Sequence, residues 1–377
     1  MNGGDADLGR TLQGLGNVLV LEGRYALAAH LHRRAVALLE GDLGPRDPDV
    51  GLALRDLGFA LRRDGQHKEA KPAFERALSL LRARYGPEHP YVTETQVELG
   101  STLWGLHDVD GALGQLGGVL PFLVRAYGPD HPKVAFAMTQ LGAVLGEKGE
   151  VDRAIPLLER ALQIRRTALG AAHPDVGNSL LFLGRMHWLR GDLREALSLL
   201  DQAEALLAPA VGPGHPDLSV VYDCRAGVLS QMGRLPEARD AYRRAVALRD
   251  KAQGAKSLAL YMPLFHLARI EQRLEDWAGA EVSLRRLVEL GEAYPQTRHM
   301  TAMPQVRLAQ CLVHLGRYAE AEPLLLSHAN EKAEAPVRRE AADVLAQLYA
   351  AWGRPAEAAR YRALWKSLPA TETLASP

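Results

Sequence analysis

The chain has 377 residues, and its 45 lysines and arginines are balanced by 45 aspartates and glutamates. This zero net charge creates no overall field toward nucleic acid or an acidic membrane, so neither partner is predicted. Apolar residues make up 47% of the chain, which excludes a disordered protein, and no run of about 18 apolar residues predicts a membrane span. The acidic N-terminus is unlike a signal peptide, so we expect a soluble, cytoplasmic protein.

A short loop sequence returns along the chain at a fixed spacing. Its copies are LGPRDPDV at 43–50, YGPEHPYV at 85–92, YGPDHPKV at 127–134, LGAAHPDV at 169–176 and VGPGHPDL at 211–218. The glycine of each copy follows the previous one by 42 residues. A loop that recurs with a fixed period indicates a repeat array.

Each period is predicted to contain two helices. In residues 50–91, Leu54 and Leu61 share one face of a first helix, and Phe74 and Leu81 share one face of a second. The glycine of each loop is suited to end a helix, and the second proline to begin the next one. In chain order, repeats are predicted near 8–49, 50–91, 92–133, 134–175, 176–217, 218–259, 260–300, 301–335 and 336–367, with a loose tail at 368–377.

Small residues recur at one position in each helix. A glycine or alanine, such as Gly58, lies in every first helix, and an alanine, such as Ala70, lies five residues after the turn that begins every second helix. We expect these residues to let the two helices of a hairpin approach closely.

This pattern of Leu-Gly, Gly-x-aromatic and spaced alanines resembles the tetratricopeptide repeat, and the 42-residue step with GPxHPxV resembles the kinesin-light-chain subtype. The resemblance covers about residues 8–367. It implies an all-α fold, a right-handed α-solenoid of eight to nine helix-turn-helix repeats. It also implies that a partner binds in the concave groove lined by the first helices. Asparagines often line this groove in the subtype, and Asn17 and Asn178 are the candidates here.

The resemblance assigns particular side chains to the groove. The predicted partner-binding residues are Arg55, Phe59, Arg62, Arg63, Trp104, Asn178, Arg185, Trp188, Phe265, Arg269, Gln272 and Arg273. Arginine and aromatic residues dominate binding hot spots, and arginine grips carboxylates with two hydrogen bonds, so we expect an acidic or aromatic segment of a partner protein. Arg62 and Arg63 are expected to be exposed. Trp104 and Trp188 fit the groove and the core between repeats equally well.

The third repeat departs from the pattern in its second helix. That helix contains Gly111, Gly114, Gly117, Gly118 and Pro121, residues that weaken helices, so we expect it to be kinked or weak. The glycines have two readings. They either reflect drift or close packing against the fourth repeat, or they mark a hinge or a contact with a partner backbone.

No sequence motif indicates catalysis. Phosphate-binding loops, zinc-protease motifs and paired cysteines are absent from the sequence. Four histidines recur at the same loop position, one per repeat, which places them too far apart to share a metal ion; they are His89, His131, His173 and His215. We therefore expect structural roles for these histidines, no cofactor, no metal and no enzymatic activity.

Two functions remain open from the sequence. The first is a scaffold or adaptor that binds a partner segment in the groove. The second is a structural or regulatory subunit of a larger multiprotein complex, which associates with itself, with a filament or with a separate effector enzyme.

Overall fold

The computed structural model describes residues 4–294 and 300–369, and every regular element within them is helical. This confirms the prediction of an all-α fold built as an α-solenoid. The chain divides into two compact units, Met1–Val228 and Leu229–Pro377. The predicted repeat boundaries and the single solenoid stay predictions, and most of the predicted tail, residues 370–377, lies outside the described residues.

The first unit contains consecutive helical hairpins. Its helices are α1 Gly4–Leu21, α2 Tyr25–Leu43, α3 Pro48–Arg63, α4 His67–Tyr85, α5 Pro90–Gly105, α6 Val109–Tyr127, α7 Pro132–Glu147, α8 Val151–Leu169, α9 Pro174–Arg190, α10 Leu193–Val211 and α11 Leu218–Gln231, which extends past the boundary of the unit. Odd-numbered helices are the first helices of the hairpins, and even-numbered helices are the second.

The second unit continues the same alternation. Its helices are α12 Leu235–Gln253, a single 3-10 turn at Leu258–Leu260, α13 Tyr261–Arg273, α14 Trp277–Ala293, α15 Ala302–His314, α16 Tyr318–His328, α17 Ala335–Ala351 and α18 Pro355–Ser367.

The recurring loop ends one helix and begins the next, as its sequence predicts. Gly86 has φ 83° and follows α4, and its N–H donates to the carbonyl of Arg82. Glycine adopts this conformation without steric cost. Pro90 is the first residue of α5, and the Nδ1 atom of His89 accepts a hydrogen bond from the N–H of Tyr91 at 3.2 Å. The loop histidine therefore caps a helix, and this confirms its structural role.

The small residues of the first helices lie where the two helices of a hairpin are closest. A Cβ atom at Gly58 would lie 2.9 Å from the ring of Phe74. A Cβ at Gly100 would lie 2.7 Å from Cγ of Leu116, closer than such carbon atoms pack in proteins. These glycines are needed because a bulky residue of the second helix fills the space that a side chain would take.

The glycine-rich helix of the third repeat is continuous. Helix α6 runs from Val109 to Tyr127, the same 19 residues in length as α4. A Cβ atom at Gly114, Gly117 or Gly118 would have no neighbour within 4 Å, and all three glycines are exposed. Of the readings offered by the sequence, close packing against the fourth repeat is therefore wrong for these three glycines, because their side of the helix faces open space; the other readings stay predictions.

The first unit curves back on itself. The turn between α1 and α2 meets the loop between α10 and α11, almost 200 residues later. A Cβ atom at Gly23 would lie 3.0 Å from Nε2 of His215 and equally close to Pro216. This turn and this loop, at the two ends of the unit, are therefore in contact.

Candidate partner-binding groove

The predicted groove arginines of the second repeat already have partners in the chain. Arg62 forms an ion pair with Glu98 at 2.9 Å, and its guanidinium lies 5.3 Å from the ring centre of Phe59. Arg55 forms an ion pair with Asp56 at 3.0 Å and lies 5.5 Å from the ring centre of Tyr91. The expected exposure of Arg62 is wrong, since only 16% of its side chain is accessible.

Arg63 lies at the point where the first unit closes. Its Nη2 atom donates to the hydroxyl of Tyr25 at 2.7 Å and also pairs with Asp217. The Tyr25 hydroxyl in turn donates to Asp217 at 2.9 Å. We call Tyr25, Arg63 and Asp217 the latch. The expected exposure of Arg63 is also wrong, because the latch holds it half-buried.

Burial and charge shift the titration of the latch. Burial raises the pKa of Tyr25 to about 12, and the carboxylate of Asp217 adds to this effect while Arg63 opposes it. Burial alone would lower the pKa of Arg63. The charge of Asp217 and the Tyr25 hydroxyl outweigh burial, and the pKa of Arg63 lies above its ordinary value. The latch therefore holds a neutral phenol and a charged guanidinium at neutral pH.

Trp104 lies against side chains from two repeats later in the chain. Its ring centre is 6.4 Å from that of Phe182, and the guanidinium of Arg185 lies 5.7 Å from it. Its Nε1 atom donates to Glu147. The intervening helix α7 has only Ala143 and Gly146 at two of its groove positions, and both are buried. Trp104 and Arg185 can meet because these residues leave the space between α5 and α9 open.

Trp188 and Asn178 have different environments. The ring of Trp188 fills the space that a side chain at Gly227 would occupy, so Trp188 packs between neighbouring first helices α9 and α11. Of its two predicted roles, this contact corresponds to the core between repeats. Asn178 is half-buried on α9, and its side chain makes no hydrogen bond to another residue within the described ranges 4–294 and 300–369.

In the second unit, the predicted residues form two groups. The guanidinium of Arg269 lies 5.8 Å from the ring centre of Phe265, and Arg273 is exposed. Gln272 exchanges hydrogen bonds with Arg307 of α15, accepting one from its guanidinium at 3.2 Å and donating to its carbonyl at 3.4 Å. Gln272 therefore links two first helices.

A cavity of about 260 Å³ lies between first helices of the first unit. We call it the α5–α7 cavity. It is lined by Glu94, Val97, Glu98, Leu123, Pro132, Lys133, Phe136, Arg165 and Asp175. None of these is among the twelve predicted partner-binding residues, although Val97, three residues before Gly100, lies at a position that the repeat pattern assigns to the groove. The remaining lining residues precede the groove positions by one or two helical turns or lie on second helices, so they fall outside the positions that the repeat pattern assigns.

Arg165 is the most buried charge of this cavity. Only 2% of it is exposed, and its Nη1 atom donates to the Asp175 carbonyl at 3.1 Å and to the Ser179 hydroxyl at 2.7 Å. Burial lowers the pKa of Arg165 below its ordinary value, although the carboxylate of Asp175 opposes the shift. At 42-residue steps from position 165, the first unit has Leu39, Leu81, Leu123 and Leu207, all of them buried, so a charge at a core position of the repeat is the sequence signal that could have identified Arg165.

The described residues contain no group of three or more histidine, cysteine, aspartate or glutamate side chains placed to hold a metal ion. Within the same residues, each helix is too short or too polar to cross a membrane. The side chains described above on the first-helix side are arginines, carboxylates and aromatic rings that contact one another.

Comparison with known families identifies the repeat. A model described as tetratricopeptide repeat matches residues 7–83, 49–117, 91–167, 137–208 and 217–293, and a second model with the same description matches residues 302–326. A search of curated proteins finds no match.

Solved structures that match part of this chain include two proteins. A putative kinesin light chain from Podosopora anserina, with nearly identical TPR-like repeats, is 25% identical; 56% of this chain and 99% of that chain are covered, with a TM-score of 0.44. BtubC (BKLC) from P. vanneervenii is 19% identical, with 62% and 92% covered and a TM-score of 0.44.

The hetero-tetramer Cut9-Hcn1 of the APC/C is 16% identical, with 94% of this chain and 55% of that chain covered and a TM-score of 0.58. This last similarity shows a shared helical-repeat fold.

Proposed function

Because the chain belongs to the tetratricopeptide repeat family, we propose that it is a non-enzymatic scaffold that binds a segment of a partner protein on its first-helix side. The observation that carries the proposal is the α5–α7 cavity, which lies beside charged and apolar side chains of successive first helices. A concave site with an apolar floor and a few polar groups is typical of a binding pocket. Val97 and Phe136 supply apolar surface, and Glu94 and Lys133 supply charge at its edge.

The arginines without an internal partner define the chemistry of the proposed segment. Among the described residues, no carboxylate lies within ion-pair distance of Arg185 in the first unit or of Arg269 and Arg273 in the second. Arg185 lies over Trp104, and Arg269 over Phe265. A carboxylate of the partner would find an unpaired guanidinium there, and an aromatic or aliphatic side chain would pack on the adjacent ring.

The predicted groove arginines Arg62 and Arg63 of the second repeat already have carboxylate partners within the chain. Arg62 and Arg63 are held by Glu98 and Asp217, so an acidic segment would have to displace an existing carboxylate to reach them. Breaking such a pair costs more than occupying an unpaired arginine. We therefore assign Arg62 and Arg63 to the structure of the groove and Arg185 to recognition.

The experiment is capture of partners from a cytoplasmic lysate of the source cells, followed by mass spectrometry. Wild type is compared with Arg185→Glu and with the control Arg194→Glu, which changes an exposed arginine on the second helix of the same repeat. We expect one or more proteins to be retained by wild type and by Arg194→Glu and lost from Arg185→Glu. Circular dichroism checks that both variants keep wild-type helicity.

A purified partner then tests the contact directly. Titration with a labelled peptide from the captured protein should give weaker binding to Arg185→Glu and to Trp104→Ala than to Arg194→Glu. If all captured proteins bind the three variants with equal affinity, the first-helix side is not the binding site. The role of a structural or regulatory subunit, assembled through other surfaces, would then be the better description.

A further inference from the structure

A buried arginine lines the α5–α7 cavity without a carboxylate partner. Within residues 4–294 and 300–369, Arg165 and Glu271 are the only buried residues among the lysines, arginines, aspartates and glutamates, with 2% and 1% of each exposed. Glu271 accepts hydrogen bonds from Arg243 and from the Ser283 hydroxyl, both at 2.7 Å. In the same part of the chain, no carboxylate lies within ion-pair distance of Arg165. Its charge is therefore buried without the partner that Glu271 has.

The hydrogen bonds of Arg165 leave part of its guanidinium unused. Its Nη1 atom donates to the backbone carbonyl of Asp175 and to the hydroxyl of Ser179, which are both neutral acceptors. Its Nε atom is buried and has no hydrogen-bond acceptor among the described residues. A guanidinium has five N–H donors, and a buried charge without a partner costs free energy. Arg165 therefore lacks an anionic acceptor.

The repeat shows that leucine normally occupies this position. In the first unit, the residues at 42-residue steps from Arg165 are all leucines that lie in the core: Leu39, Leu81, Leu123 and Leu207. Where Arg165 replaces the leucine, a cavity of about 260 Å³ lies between it and Leu123 of the preceding repeat. A sequence that breaks its own packing rule at one position commonly does so at a functional site. The exchange of leucine for arginine beside an open cavity therefore points to a ligand.

The other charged side chains around the cavity have partners or are stabilised locally. Glu98 forms its ion pair with Arg62 at 2.9 Å, and Glu94 forms an ion pair with Lys133. The carboxylate of Asp175 is 46% exposed and lies in the first turn of α9, where the helix dipole favours a negative charge. Of the two cations that line the cavity, Lys133 and Arg165, only Arg165 is thus left for a ligand.

The size and the lining of the cavity select the chemical class of this ligand. Its volume of about 260 Å³ lies below the roughly 300 Å³ at which pockets begin to hold drug-sized molecules, so it takes a group of few atoms. Val97, Leu123 and Phe136 provide apolar walls for a short aliphatic chain. A planar carboxylate matches a guanidinium with two hydrogen bonds. A doubly charged phosphate would be repelled more strongly by the carboxylates of Glu94 and Glu98.

We propose that the α5–α7 cavity is a binding pocket for a single carboxylate on a short aliphatic chain, with Arg165 as the residue that pairs with it. Two sources can supply this group. One is a glutamate side chain in a segment of a partner protein, which deepens the proposed function and rests on it. The other is a free short-chain acid, which does not depend on the proposed function.

The first test is saturation-transfer nuclear magnetic resonance on the full chain. The probes are butyrate, which represents a free acid, and glutamate capped as the N-acetyl N-methylamide, which represents a side chain of a segment. Butyramide and the equally capped glutamine are neutral controls of the same shape. We expect at least one acid to bind, and its neutral control to bind at least about tenfold more weakly. Binding of butyrate alone identifies a free acid as the ligand, and binding of capped glutamate identifies a side chain of a segment. If neither acid binds, the proposal is overturned.

The second test removes the charge from the cavity. Arg165→Leu restores the residue that the other repeats of the first unit have, and its matched control is Arg166→Leu, which removes an exposed arginine from the next position of α8. We expect Arg165→Leu to bind the acid at least about tenfold more weakly than the control does. It should also unfold at a temperature no lower than that of wild type, because a buried unpaired charge is gone. Equal affinity of the two variants for the acid would overturn the proposal.

A third variant blocks the cavity and leaves Arg165 in place. Val97→Phe adds a ring from α5, and the corresponding position of α9 already holds the larger Leu181. This variant should also lose the acid, while circular dichroism shows wild-type helicity. If Val97→Phe binds the acid as tightly as wild type does, the cavity is not the binding site.

These outcomes are separate from those of the capture experiment with Arg185→Glu. Partner proteins that depend on Arg185, together with a wild type that binds neither acid, would support the scaffold and overturn the pocket. Binding of butyrate that depends on Arg165, without any captured protein, would support the pocket as a site for a free acid and count against the scaffold.

Discussion

The exposed glycines of α6 provide a direct test of the outer surface of the third repeat. Gly114, Gly117 and Gly118 lie inside a continuous helix, and a Cβ atom at each would meet nothing within 4 Å. Alanine would therefore fit at all three positions without moving a neighbour. We expect the triple alanine variant to be more stable than wild type.

The size of the effect follows from the lost backbone freedom. Glycine in a helix interior costs about 0.5–1 kcal/mol relative to alanine, mainly because the unfolded chain has more conformations to lose. If the three sites contribute independently, the free energy of unfolding should rise by about 1.5–3 kcal/mol. No new contact is needed for this gain, since the added methyl groups remain in solvent.

Urea unfolding followed by circular dichroism measures the change. The midpoint should rise while the dependence of free energy on urea stays constant, because the area exposed on unfolding hardly changes. The control is Gly128→Ala at the end of the same helix, where φ is 87° and alanine is strained, with an expected loss of about 1–2 kcal/mol. A triple variant with an unchanged or lower midpoint would refute the assignment of these glycines to open helix surface.

Three further predictions concern buried groups. The pKa of Tyr25 is raised from an ordinary 10 to about 12, so the folded state holds the phenolic proton more tightly than the unfolded state does. The resulting stabilisation is present below about pH 10 and is lost as the pH rises through 12. Between these pH values, the free energy of unfolding in urea should fall more steeply for wild type than for Tyr25→Phe. Arg243→Ala removes the cation that pairs with Glu271, which is only 1% exposed, and should lower the free energy of unfolding in urea by about 2–4 kcal/mol. Adding Glu271→Gln should restore part of this free energy, because the buried carboxylate is then neutral. Burial raises the pKa of Cys311 to about 11, so iodoacetamide should label this thiol in urea but not in the native protein at neutral pH.

Local structure could be predicted from the sequence because each local feature depends on a few neighbouring residues. The eight residues YGPEHPYV at 85–92 contain both the cap of one helix, Gly86, and the start of the next, Pro90, so the role of this loop is readable from them alone. The same holds for the closeness of Gly58 and Phe74, since the repeat places them in the two helices of one hairpin. Periodicity made these predictions secure, since each was supported by several copies.

The environment of the groove residues could not be predicted in the same way. Whether Arg63 faces solvent depends on how far five hairpins curve, and a small change in the angle between repeats moves Asp217 toward or away from Tyr25. That angle is set by side chains throughout the array and leaves no signature near position 63. Similarly, Trp104 reaches Arg185 only because of the small residues of the helix between them.

The arginines predicted for the groove fall into two groups, those with an ion pair inside the chain and those without one. This difference changes which segments of a partner protein the proposed groove would bind. A groove in which every arginine awaited a carboxylate would attract acidic chains in general, through charge alone. Glu98 and Asp217 already neutralise Arg62 and Arg63, whereas Arg185, a predicted groove arginine of the same unit, lies next to an aromatic ring without an ion pair among the described residues. Under the proposed function, a partner segment would have to match this arrangement with one carboxylate and one apolar group at a defined separation, which a uniformly acidic segment would not do. Under the proposed function, the ion pairs of Arg62 and Arg63 would therefore narrow the range of partner segments that the groove accepts.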